Sequence, residues 1–331
     1  MLAFVIRRIL VSIPVLIGST VLTFILVKLS GDPLQFLKLR NPPVPPSTIK
    51  ANEHRLRLDE SWPAQYWHWI TGVVLHGNFG QAIHPTDNIR SELFKALGVT
   101  ARLVIISVIL SLILAIVTGV YSAVRQYSIT DYTTTFIGFL FLSMPVFWFA
   151  ILLKQAGIWY NENYAASNGC GFRFGTIGDK SVFRPACTSA FQDNLGHLIL
   201  PVVVLSLVGY AGWTRFTRAS MLEVLNSDYV RLARSKGLKP RQVLIRHALR
   251  TALIPLTTVT ALDIAALLSG AIVTETVFQW HGMSNLFLTA VRNIDFNVML
   301  AWLLVTATIV ILFNLLADIM YGVLDPRIRH A

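Results

Sequence analysis

Six stretches of the chain are almost continuously apolar, and the polar residues gather between them. They run approximately over 9–29, 103–124, 134–153, 198–214, 253–279 and 298–324. About 20 apolar residues at 1.5 Å each cover the roughly 30 Å of a bilayer's hydrocarbon, so each stretch predicts a membrane-crossing helix. The fourth is the shortest, and the last two are long enough to tilt. Strands do not fit, because the runs are continuous rather than alternating and lipid offers no partner to an open backbone. Arg7 and Arg8 precede the first stretch as they would in a signal peptide. Its apolar run is too long for one and no small-residue cleavage site follows, so a retained helix is expected.

Composition supports this class. Charged residues are only 14% of the 331 and apolar residues 54%, whereas ordinary soluble proteins carry about 25% charged residues. Mean hydropathy is +0.60. A soluble enzyme, a disordered chain and a disulfide-stapled mini-protein are all excluded. The net charge is nevertheless +11, and the placement of the bases sets orientation. Segment 215–250 holds nine of them against Glu223 and Asp228, a net of +7. Arg7, Arg8, Arg125, Arg327 and Arg329 fall on the same side of an even number of spans. Both termini and this loop are therefore expected in the cytoplasm, with 31–98, 154–197 and 280–297 outside. The bland reading of the basic loop is a topology signal or a lipid-facing patch. Nucleic acid is not an expected partner, because the charge is confined between spans.

The order of residues inside the basic loop says more than its charge. Asp228 or Ser227 suits a helix N-cap, bases fill the last turn, Gly237 suits a left-handed cap, and Pro240 follows. This predicts a helix of about two turns, too short to stand alone in water. A second helix is expected from Pro240 through Val243, Leu244, His247 and Leu249 toward Pro255.

Asp228-Tyr229-Val230-Arg231 and Ala233-Arg234-Ser235-Lys236-Gly237-Leu238, then His247-Ala248-Leu249-Arg250 and Leu253-Ile254-Pro255, resemble the cytoplasmic coupling loop of ABC importer permeases of the dipeptide/oligopeptide class. Gly31-Asp32-Pro33, Gly77-Asn78-Phe79-Gly80, Ser143-Met144-Pro145, the run Gly270–Phe278 and the tail Asp325-Pro326-Arg327-Ile328-Arg329 fit the same class. The resemblance covers nearly the whole chain. Where the general importer pattern has Glu-Ala-Ala, this chain has Arg231-Leu232-Ala233, a departure usual in the peptide class.

The resemblance implies an all-α integral membrane protein of six helices with the ABC type I importer permease fold. Its parts would be an N-terminal span (1–30), an external helical segment (31–98), a permease core (99–324, with the coupling loop at 215–252) and a cytoplasmic tail (325–331). It would sit in the cell's inner or plasma membrane as one half of a peptide pore. Its partners would be a second homologous permease, two cytoplasmic ABC ATPases, an extracytoplasmic peptide-binding protein and membrane lipid. ATP and Mg would belong to the ATPases. Independently, the chain lacks a Gly-x-x-x-x-Gly-Lys-[Ser/Thr] loop, so no cofactor and no ATP hydrolysis are expected in it. Asp228, Tyr229, Val230, Arg231, Leu232, Ala233, Arg234, Lys236 and Gly237 are the expected coupling helix. Tyr229, Val230 and Leu232 would be its packing knobs, and Arg231, Arg234 and Lys236 would pair with acidic rims.

In the external segment, Pro42 to Pro46 predict a stiff extended stretch. Ser47 suits the cap of a helix to about Leu58, Trp62-Pro63 open another to about His76, and a third covers about 89–97. Trp62, Tyr66, Trp69, Ile70 and Val73 recur at helical spacing, as in a helix lying at the membrane interface. This cap either helps dock the binding protein or simply packs on the outer ends of the spans. Cys170 and Cys187 enclose 16 residues of the second external loop. An oxidising exterior permits a Cys170–Cys187 disulfide, which closing such a loop would make worth roughly 3 kcal/mol.

Polar groups at membrane depth are the remaining candidates. Asp263 lies near the middle of the fifth stretch, where a charge is costly unless it meets water or a partner; it lines the pore or makes an interhelical hydrogen bond. Glu275 lines an outer gate or caps the turn before Trp280-His281-Gly282-Met283. Met144 and Phe147 are candidate gate residues, and Pro145 and Pro255 can kink their helices. His54, His68, His76 and His84 have no ligand-like spacing, so no metal is expected. No nucleophile–base signature appears on the spans. Alternative readings are the same architecture importing nickel chelates or glutathione, and, from another class, a secondary transporter, which would show inverted repeats.

Overall fold

The computed structural model describes residues 2–39, 41–83, 88–165, 171–269 and 271–324. The described residues are helical with connecting turns. Four helices are long and apolar enough to cross a membrane: α1 (Leu2–Leu29), α4 (Ile89–Val124), α7 (Ala190–Leu225) and α12 (Phe296–Leu324). Up to six crossings result if each of two bent pairs is one span. Between α1 and α4 lie α2 (Pro46–Arg55) and α3 (Trp62–His76). Pro46, rather than Ser47, opens α2, since a proline's missing N–H costs nothing at a first helical position. Gly77 ends α3 with φ +60. The expected helix at 89–97 is the first part of α4, where Asn88 caps Ser91 N–H.

The stretch expected as one span over 134–153 is two helices, α5 (Ile129–Ser143) and α6 (Val146–Asn163), bent by 102°. The cause is local. A residue before proline is pushed out of the helical region, and Met144 and Pro145 are both extended, with ψ 130° and 126°. Phe141 and Phe149 pack across the bend with ring centroids 5.3 Å apart. The stretch over 253–279 is likewise divided, into α9 (Ile254–Ser269) and α10 (Ile272–Phe278). A 46° bend separates α9 from the helical residues 240–252 before it. Within those, Val243–Leu249 widens into a π-helix, an uncommon geometry. α11 (Met283–Arg292) precedes α12.

The centre of the molecule is the pair α4 and α7, the most extensively packed pair of helices. Ser111 Oγ donates to Ser206 O at 2.7 Å, and Ser206 Oγ returns a bond to Ser107 O at 3.1 Å. A Cβ on Gly209 would meet Ser111 Oγ at 2.9 Å, and one on Gly119 would meet Thr217 Cβ at 2.8 Å. Small residues let the backbones approach where lipid supplies no hydrophobic drive. Residues 107, 111 and 119 thus face 206, 209 and 217 in rising order, so α4 and α7 run parallel. α12 packs on α9 and on α1. It runs antiparallel to α1: Lys28 lies 4.5 Å from the Phe296 ring centroid at one end, and Arg8 pairs with Asp318 at 3.2 Å at the other.

Candidate functional site

α8 (Asp228–Ser235) follows α7 after a tight turn at Asn226 and Ser227. Ser227 occupies the N-cap position with an extended backbone, but its hydroxyl donates backward to Val224 O at 2.5 Å. Gly237 takes φ +75 and its N–H donates to Arg234 O at 3.0 Å. That conformation favours a residue without Cβ. The helix has two unlike faces. Val230 (0% exposed) and Ala233 are buried among Ala123, Met221, Val243, Ala248 and Ala252. Tyr229 is 44% and Leu232 56% exposed. Positions 230 and 233 share one stripe of the helix, and 229 and 232 share a neighbouring stripe about 100° round its axis. Val230, expected as an outward knob, is turned into the chain's own core. Asp228, Arg231, Arg234 and Lys236 are exposed. The Arg231–Asp228 pair at 3.1 Å is so open to water that it adds little stability.

Beneath this helix is a polar knot that the sequence pattern did not reveal. Asp131, 3% exposed, accepts Arg218 Nε at 2.7 Å on Oδ1 and Arg218 Nη2 at 2.8 Å on Oδ2. Ser122 Oγ and Tyr127 N–H, the latter at 3.0 Å, also donate to it. Four segments meet here: the end of α4, the turn after it, the first turn of α5 and the last third of α7. Asp131 reads in the sequence as an ordinary helix-start acid, and Arg218 as one of many orienting bases. No local spacing links residues 87 positions apart.

The candidates at membrane depth do not form one cluster. Asp263 on α9 accepts Trp213 Nε1 of α7 at 2.6 Å, which is the interhelical bond of the two readings. Glu275 on α10 is 1% exposed; Thr100 Oγ1 donates to its Oε1 at 2.5 Å and Ser284 N–H to its Oε2 at 3.0 Å. Thr100 Oγ1 also accepts Met283 N–H at 2.8 Å. A Cβ on Gly282 would fall 2.4 Å from Thr100 Oγ1 and 2.5 Å from Glu275 Oε1, so this turn closes only around glycine. Glu275 therefore holds the turn before α11 to α4, enclosed rather than lining an open passage. Met144 is half-buried at the α5–α6 bend and Phe147 is exposed on the first turn of α6. Cys170 lies outside the described residues, so the Cys170–Cys187 pairing stays an expectation.

By architecture the chain is an all-α multi-span membrane protein with a short helix packed against its core. The family described as binding-protein-dependent transport system inner membrane component matches residues 115–330, and its N-terminal companion matches residues 1–88. The chain is 37% identical to the oligopeptide transport system permease protein AppB of Bacillus subtilis over 100% of both chains. It is 35% identical to oligopeptide permease protein OppB of Mycobacterium tuberculosis, covering 99% of each. It is 36% identical to dipeptide permease protein DppB of Escherichia coli, covering 100% of this chain and 99% of the relative. The chain belongs to this family, as an ABC transporter permease of the peptide-import class.

Proposed function

We propose that this chain is the B-type subunit of an oligopeptide or dipeptide importer, forming half of the translocation pore and driven through α8 by cytoplasmic ATPases. Its other partners are a second permease and an extracytoplasmic peptide-binding protein. The observation that carries the reading is the division of α8 into a face buried in the chain's own core and a face with two exposed large apolar residues, Tyr229 and Leu232. A short helix so anchored moves with the ends of α4 and α7, and offers its other side to a motor. A ligand-driven cycle then works through differential affinity for inward-open and outward-open states.

Six crossings fit this reading. α4 and α7 are parallel, so the chain between them must return, and α5 with α6 is the apolar pair available. The start of α1 and the end of α12 meet at Arg8 and Asp318, as termini on one side require. The basic loop marks that side as cytoplasmic. The segment 31–98 and a Cys170–Cys187 bridge then belong outside.

Reconstitution with the cognate ATPases and binding protein tests the proposal. Peptide uptake is expected to require ATP hydrolysis; uptake that persists with a hydrolysis-dead ATPase refutes it. Gly237→Pro is a finer test. Proline fixes φ near −65° and removes the N–H, so the cap is lost. Membrane insertion is expected to be unchanged while uptake falls away from ATP hydrolysis. Normal coupled uptake would count against α8 as the coupling element.

A further inference from the structure

The buried knot around Asp131 joins the ATPase-facing helix to the one strongly bent helix pair in the described residues. On the α8 side, Met221 of α7 and Ala123 of α4 pack in the cluster that holds Val230 and Ala233. One turn up α7 from Met221, Arg218 grips both carboxylate oxygens of Asp131 at 2.7 and 2.8 Å. Ser122, adjacent to Ala123, donates to the same carboxylate. Asp131 stands in the first turn of α5, whose far end is the 102° bend at Met144 and Pro145. α5 also packs on α7, with Ile137 against the cluster of Tyr210 and Trp213 and the Arg215 guanidinium 4.7 Å from the centroid of the Phe139 ring. The covalent link from α4 to α5 is by contrast a short turn, with Tyr127 at φ +63.

We infer that the Arg218–Asp131 ion pair is the joint through which displacement of α8 reaches α5 and the Met144–Phe147 bend. This rests on the reading of α8 as the ATPase-driven element. Arginine suits the role: its planar fork meets a carboxylate at two points and so fixes orientation as well as distance, which a lysine ammonium does not. Burial of the carboxylate makes loss of the pair costlier than loss of an exposed one. Asp131 and Arg218 are positioning residues on this account, remote from any peptide.

The test uses the complete reconstituted transporter and reads peptide imported per ATP hydrolysed, beside the melting temperature of the assembly. Arg218→Lys keeps the charge and removes the fork; Asp131→Asn keeps the shape and removes the charge. Either is expected to lower the ratio by about fivefold or more, the size of an ordinary coupling between distant elements, while ATP hydrolysis continues. The exchange of both residues, Asp131→Arg with Arg218→Asp, is expected to recover part of the ratio. Glu275→Gln, at the other end of α4, serves as the structural control and is expected to lower the melting temperature with the ratio intact. An unchanged ratio in Arg218→Lys overturns the inference, as does an equal loss in Glu275→Gln. Should Asp131→Asn fail to assemble, Arg218→Lys alone decides. If wild-type uptake survives a hydrolysis-dead ATPase, the functional reading itself has failed; if wild-type uptake is coupled and the variants match it, only the joint has failed.

Discussion

The two ends of the α4–α7 core each bury a carboxylate, and they do so differently. At one end Glu275 is met by neutral donors, among them the Thr100 hydroxyl and the Ser284 N–H, in a turn that also encloses Gly282. At the other, Asp131 is met by a guanidinium that keeps 29% of its side-chain surface exposed. The first arrangement is a closed plug of neutral groups around one carboxylate. The second is a charged link between α5 and α7, two helices that also pack against each other. A buried group held by neutral donors fixes a single geometry, and its loss strands those donors. A bidentate ion pair at the edge of the core holds two moving parts in register.

The plug is where disruption should cost most. Glu275→Ala leaves Thr100 and Ser284 N–H without their acceptor and is expected to lower stability by about 2–4 kcal/mol, read by denaturant unfolding in detergent. Gly282→Ala forces a Cβ into the same space and is expected to cost about 1–3 kcal/mol. Asp131→Ala is expected to cost roughly 1–3 kcal/mol, because Arg218 can turn toward water, while its effect on coupling exceeds that of any plug variant. Between the two ends, Asp263→Ala strips Trp213 of its acceptor and is expected to cost about 1 kcal/mol, whereas Asp263→Asn keeps an acceptor and costs less. The smallest effect on stability belongs to the exposed face of α8. Tyr229→Ala with Leu232→Ala is expected to stay within about 0.5 kcal/mol of the parent in the same unfolding assay. Uptake should nevertheless fall in the assembled transporter.

The apolar runs made the existence of the long helices legible, because a continuous apolar stretch has few other uses. Their breaks were less so. Pro145 marked a kink, but not that Met144 would also leave the helix and turn the chain by 102°. α8 was legible to within two residues because its stop is local: Gly237 in a left-handed conformation, then Pro240. Which of its apolar residues face inward was not, since Val230 and Leu232 look alike in sequence and only the cluster around Met221 separates them. The Asp131–Arg218 pair was hidden for a like reason: it is a product of how α5 packs on α7, which no nearby residue encodes.

The most direct measurement places a photoreactive side chain at position 232 and, separately, at position 230 in the assembled transporter. Leu232 is expected to cross-link to an ATPase subunit, and Val230 only within its own chain. Cross-linking from position 230 to the ATPase, or none from 232 in a transporter that still imports peptide, would contradict the account of α8 as a lever gripped on its outer face.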